Sequence, residues 1–168
     1  LVDIEDAWAL GIDAFALNIA YGDDTVSASV ATAFEAIQSA SPDFKLFFSF
    51  DYAGGGPWPA ADVASYLAEY TGNTGYYHTD SGKAFVSTFE GPANAQDWVA
   101  LKSDYNIFFM PDWSSLGAGP AWDLGVADGL FSKFSCLKGG VSRNLLSSSQ
   151  SGDFNPGSNR LGGLAMGR

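Results

Sequence analysis

Four polar side chains close apolar runs in this sequence, at positions where they could do chemistry. Asn18 ends Ile12-Asp13-Ala14-Phe15-Ala16-Leu17-Asn18, and Asp51 ends Lys45-Leu46-Phe47-Phe48-Ser49-Phe50-Asp51. Glu90 ends Phe85-Val86-Ser87-Thr88-Phe89-Glu90, and Asp112 ends Ile107-Phe108-Phe109-Met110-Pro111-Asp112. If the runs are parallel strands, a ligand binds beyond their carboxyl ends, where these residues stand. Three carboxylates converging on one rim are costly to bury unless paired or protonated, and such crowding separates one acid from one base. Glycosidic cleavage uses that separation: one carboxylic acid protonates the leaving oxygen while another carboxylate activates water or attacks carbon. Each acid has a plainer alternative, as a helix cap or a solvated charge.

Aromatic residues follow the same run ends. Trp58, Trp113 and Trp122 could stack flat faces on sugar rings, and Tyr52, next to Asp51, is expected at the substrate with them. Trp8 and Trp98 fall on helix-like stretches and are expected in the core. Gly54-Gly55-Gly56 lacks the Lys-Ser/Thr of a phosphate loop and reads as a flexible rim loop. His78 has no companion histidine or cysteine, so zinc and a nucleophilic triad have little support, and no metal or cofactor is expected.

Positioning these residues on one rim requires strands alternating with helices. The first, second and fourth runs are nearly continuously apolar, as in parallel strands covered on both faces. A weaker fifth run is Gly129-Leu130-Phe131-Ser132. Between the runs, Val26, Val30, Phe34 and Ile37 share a helical stripe, as do Val63, Tyr66, Leu67 and Tyr70. Pro59 and Pro92 stand where helical turns begin, with Asp62 and Asp97 placed to favour the positive end of the dipole. Tyr76 to Lys83 reads as a turn or hairpin. The order specifies an α/β architecture. Residues 133–168, rich in Gly, Ser and Asn with no sustained apolar period, are expected to be an irregular tail.

Composition narrows the partners. Of 168 residues, 46% are hydrophobic and 15% aromatic, too much for a disordered chain. Nineteen acidic against eight basic residues give a net charge of −11, which would repel nucleic acid and suits a neutral ligand such as a sugar. The single cysteine, Cys136, excludes an internal disulfide. No apolar run approaches the roughly 20 residues of a membrane span, so no membrane partner is expected. The acidic start, Leu1-Val2-Asp3-Ile4-Glu5-Asp6, lacks the features of a signal peptide, and the chain is expected to begin inside a longer protein.

Four segments together resemble glycoside hydrolase family 71, the fungal α-1,3-glucanases or mutanases. They are Gly11 to Ile19, Phe44 to Asp51, Val86 to Gly91, and Phe108-Phe109-Met110-Pro111-Asp112-Trp113-Ser114-Ser115-Leu116-Gly117, in the family's order. The resemblance covers residues 1–132 and implies about five parallel strands of a partial (β/α)8 barrel. It implies a secreted enzyme that cleaves α-1,3-glucan of the fungal wall in endo fashion with inversion. Asp51, Glu90 and Asp112 match acidic positions of the family's motifs and are expected in the cleft, with Asn18, Tyr52, Trp58 and Trp113 as substrate contacts.

The chain departs from the family after Ser132, where Lys133-Phe134-Ser135-Cys136 follows. The family's later Trp-Asn-Asp-Tyr-Gly-Glu stretch, which holds its expected catalytic acid pair, does not occur in this sequence. Two other readings stay open at this point. One is a chain that at most binds glucan; the other is an open doubly wound sheet, which requires a reversal of strand order. Oligomeric state is not legible.

Overall fold

The computed structural model describes residues 2–40 and 43–131. The expected tail at 133–168, and Ser132 of the fifth run, lie outside the described residues. In chain order the elements are α1 (Val2–Ala9), β1 (Ala14–Ala20), α2 (Val26–Ala40), β2 (Lys45–Asp51), α3 (Ala60–Tyr70), β3 (Ala84–Phe89), a 3-10 turn (Pro92–Asn94), α4 (Asp97–Tyr105), β4 (Ile107–Phe109) and α5 (Ala118–Asp123).

The four strands form one parallel sheet in the order β1-β2-β3-β4. Sequence neighbours are therefore spatial neighbours, and no reversal of order, the mark of the doubly wound alternative, occurs among the described strands.

Period-two alternation gives β2 two faces. Phe48 and Phe50 point to the helices: Phe48 meets Phe34 of α2 and Tyr66 and Tyr70 of α3, while Phe50 meets Tyr66 of α3 and Trp98 of α4. Trp98 in turn stacks on Phe109 of β4, with ring centroids 4.0 Å apart. Helices α2, α3 and α4 thus cover the same face of the sheet. The helical stripes expected from spacing supply that layer, with Val26, Val30, Phe34, Ile37, Val63, Leu67 and Tyr70 all buried.

On the opposite face of β2 stand Phe47, Ser49 and Asp51. Phe47 packs on Tyr77 and Phe85, so β2 is covered on both sides as its continuous apolar run requires. Tyr76 and Tyr77 insert between the starts of β2 and β3: the Leu46 N–H donates to the Gly75 carbonyl at 2.8 Å, and the Phe85 N–H to that of Tyr77 at 3.0 Å. The expected hairpin follows, closed by the Thr79 N–H on the Lys83 carbonyl at 2.9 Å.

The fifth run is a correction. Gly129 to Phe131 takes no strand conformation, although it lies beside β4. The Asp128 N–H donates to the Phe109 carbonyl at 2.8 Å and the Phe131 N–H to that of Pro111 at 3.3 Å. Asp128 holds the segment there, since its carboxylate accepts from the Phe109 N–H and from Lys102, both at 2.8 Å. With one carboxylate fixing its start and a glycine next, the segment follows β4 without building a ladder. No helix among the described residues is long and apolar enough to cross a membrane.

Because Phe48 is fully buried and contacts five aromatic rings, its truncation should leave a cavity that the helices cannot close. Phe48→Ala is expected to lower the unfolding free energy by about 3–5 kcal/mol. Val99→Ala, at an exposed position of α4, should change it by less than about 0.5 kcal/mol. Denaturant titration of both variants measures the contrast.

Candidate functional site

Backbone pairing runs past the strand ends and holds the candidate acids level. The Tyr52 N–H donates to the Phe89 carbonyl at 2.9 Å, the Glu90 N–H to that of Asp112 at 2.8 Å, and the Asp112 N–H to that of Thr88 at 2.8 Å. Asp51 is in register with Phe89, and Phe89 with Asp112. Asp51 and Asp112 therefore sit two strand spacings apart, about 9.5 Å between backbones at about 4.8 Å per step. All three acids stand at the carboxyl end of the sheet, at or just past the ends of consecutive strands.

Each acid is held by neutral donors. Asp51 Oδ1 accepts from the Ala53 and Gly54 N–H groups, both at 2.8 Å, and Oδ2 from Asn18 Nδ2 at 3.3 Å. Ser49 Oγ donates to Asn18 Oδ1 at 3.3 Å, completing a chain across β1 and β2. Asn18 itself is inside β1, paired with Ser49, rather than at its end. It lies one same-face step below Ala20, the partner of Asp51, and still reaches the carboxylate.

Glu90 is the most constrained of the three. Its φ of 57° is left-handed, a conformation that costs a residue with a Cβ on the order of 1–2 kcal/mol. Three further contacts fix it: Trp113 Nε1 donates to its carbonyl at 3.0 Å, the Ser115 N–H to Oε1 at 3.2 Å, and the Ser115 hydroxyl to Oε2. The next residue, Gly91, has φ 89° and passes so close to Tyr52 that a Cβ would meet the ring at 2.5 Å. Asp51 and Glu90 are both half-buried.

Asp112 differs, being 1% exposed. Its Oδ1 accepts from the Ser114 N–H at 3.1 Å and from the Ser114 hydroxyl. A buried carboxylate needs such donors, and here they tie down the loop that carries Trp113 and Ser115.

The aromatic residues expected at the substrate are largely buried. Trp58 and Trp113 are only 4% and 2% exposed, most of each ring being packed into the core. Trp58 turns back under the rim, donating from Nε1 to the Ile19 carbonyl at 3.2 Å and meeting Phe50 and Tyr66. Trp113 is committed to Phe109 and to the Glu90 carbonyl. Tyr52 is buried against Gly91; burial pushes its phenol up from the ordinary value, with the charge of Asp97 adding to the effect. Trp122 is exposed and Trp98 buried, while Trp8 packs partly against the core.

The Gly54-Gly55-Gly56 run also departs from expectation. It is a pinned turn: a Cβ on Gly54 would lie 2.7 Å from Asp51 Oδ2, and one on Gly55 1.8 Å from the Tyr21 carbonyl oxygen. Sequence reasoning missed Ser49, Ser114 and Ser115. A Ser two residues after a buried Asp is the turn pattern that flags Ser114, but only the strand register brings Ser115 to Glu90.

Comparison with known proteins shows the family. The sequence model of Glycosyl hydrolase family 71 matches residues 2–152, continuing past Ser132. A glucan endo-1,3-alpha-glucosidase of Schizosaccharomyces pombe is 36% identical over 147 residues, covering 77% of this chain and 33% of that protein. A mutanase of Penicillium rubens is 34% identical over 130 residues, covering 77% and 28%. An ascus wall endo-1,3-alpha-glucanase of Schizosaccharomyces pombe is 30% identical over 148 residues, covering 80% and 33%. The chain spans about a third of the length of these curated relatives.

Gly91→Ala adds a methyl group against the Tyr52 ring at a positive φ. It should lower stability by about 1–3 kcal/mol. Gly119→Ala, in α5 with open space around it, should change stability little or raise it slightly. Thermal unfolding of the two variants reads the difference.

Proposed function

The chain belongs to Glycosyl hydrolase family 71, and from that premise we propose that it carries part of the substrate cleft of a secreted enzyme hydrolysing α-1,3-glucan. The observation that carries the reading is that Asp51 and Glu90, half-buried and fixed by neutral donors, stand at the carboxyl ends of neighbouring parallel strands. The relatives matched are named as α-1,3-glucanases or a mutanase, which supports the substrate. The one-sided helix layer and the sequential strand order support a (β/α)8 barrel as the complete architecture.

The mechanism proposed is inverting and uses carboxylates, with no metal or cofactor. One acid protonates the leaving glycosidic oxygen while the other removes a proton from water attacking the anomeric carbon from the opposite face. That arrangement needs carboxyl groups about 6.5–9.5 Å apart. Asp51 and Glu90 retain acceptor capacity toward a ligand, since each carboxylate oxygen has two lone pairs. Asp112 acts through the loop it holds. Net negative charge at the rim suits hydroxyl donors of a neutral polysaccharide.

A second reading, glucan binding without cleavage, is favoured by the burial of Asp112, which keeps one of the three acids from any ligand. Incubation of the protein with insoluble α-1,3-glucan separates the two. Release of reducing ends, falling about 100-fold or more in Glu90→Gln, supports cleavage by this chain. Co-sedimentation without release supports binding alone, and no association at all overturns both readings.

A further inference from the structure

A cavity opens beside Ala20, the strand partner of Asp51. Its volume is about 240 Å³, and its walls include Tyr21, Asp23, Trp58, Asp62, Ser65 and Tyr66. It lies where β1 ends and the first turn of α3 begins. The pinned glycine turn connects it to the rim: Gly54 packs on both Asp51 and Ala20, Gly55 passes over the Tyr21 carbonyl, and Ala20 lines the cavity.

We propose that this cavity is an additional saccharide subsite that takes one glucose ring of the glucan beyond the rim, an inference that rests on the glucan reading above. Size is the first argument. The volume is below the roughly 300–1,000 Å³ of a drug-sized ligand site, which scales it to a single sugar ring.

Chemistry is the second. Tyr21 is 37% exposed and lines the cavity, and its T-shaped contact with Trp58, centroids 5.4 Å apart, braces the ring before a ligand arrives. Asp23 is fixed by Thr25, whose hydroxyl and N–H donate to Oδ1 at 2.7 and 2.9 Å. These bonds hold the Asp23 carboxyl below its usual range, the hydroxyl contributing most. Asp62 supplies a second carboxylate across the opening, and Ser65 a hydroxyl. Carboxylates accept from sugar hydroxyls while an aromatic ring takes the C–H face. No basic residue lines the cavity, which disfavours an anionic ligand.

The tryptophan indole N–H signals of the ¹⁵N-labelled chain report both places at once. Trp58 Nε1 donates to Ile19 beside the cavity, and Trp113 Nε1 to Glu90 at the rim. On titration with a soluble α-1,3-linked glucose trimer, both signals should shift. Tyr21→Ala and Asp62→Asn should each weaken the Trp58 shift about tenfold and leave the Trp113 shift in place. Asp62→Asn keeps the aromatic wall intact, so loss of binding there does not reduce to loss of folding. A trimer that moves Trp113 and leaves Trp58 unmoved overturns the subsite and keeps the glucan reading. A trimer that moves neither overturns both. Movement of Trp58 by calcium chloride but not by the trimer overturns the subsite in favour of a cation site.

Discussion

Parallel pairing that continues beyond the regular strands is the constraint on which the site depends. Three backbone hydrogen bonds, from Tyr52, Glu90 and Asp112, link the chain just after β2, β3 and β4. A slip of one residue in this register would turn every side chain to the other face of the sheet. Asp51 would then point among the ring partners of Phe48 and Phe50, away from the Ala53 and Gly54 amides that hold it. The aromatic packing of Phe48 and Phe50 against α2, α3 and α4 therefore fixes the register. By doing so it also sets where the acids emerge.

The strands were legible because burial on both faces leaves a nearly continuous apolar run, and Lys45 to Asp51 reads from sequence with the bounds it has in space. The helical stripes were legible for the same reason, since only one face of each helix meets the sheet. Direction after a strand end was not legible. Trp58 follows Asp51 closely in sequence, yet the glycine turn carries the chain over Tyr21 and returns the indole to Ile19. A tryptophan in such a loop looks the same in sequence whether it faces solvent or core. The fifth run failed differently: its few apolar residues gave no sign that Asp128 would anchor the segment through Lys102 and the Phe109 amide.

Serine contributions were invisible for a further reason. Ser49, Ser114 and Ser115 are a common residue type, and their role comes from which carboxyl or amide oxygen the register places beside them. Together with the Ala53 and Gly54 amides they form a set of neutral donors. Neutral donors orient a carboxylate without cancelling its charge, whereas a lysine or arginine in the same place would form an ion pair and occupy the face a ligand needs. The rim is thus ordered and still negative, a combination suited to polyhydroxyl ligands.

Glu90 brings these threads together. Packing alone does not require a glutamate in left-handed conformation; glycine or asparagine would take that turn at lower cost. The surrounding structure nevertheless fixes the residue at every polar group: its N–H is bonded to Asp112, its carbonyl to Trp113 and its carboxylate to Ser115. Asp112, buried and bonded to Ser114, holds the loop from which Trp113 and Ser115 reach it. Strain that persists because its surroundings overdetermine it is a mark of functional positions. The half-buried carboxylate at the centre of that arrangement is thereby held in one orientation by three neighbouring residues.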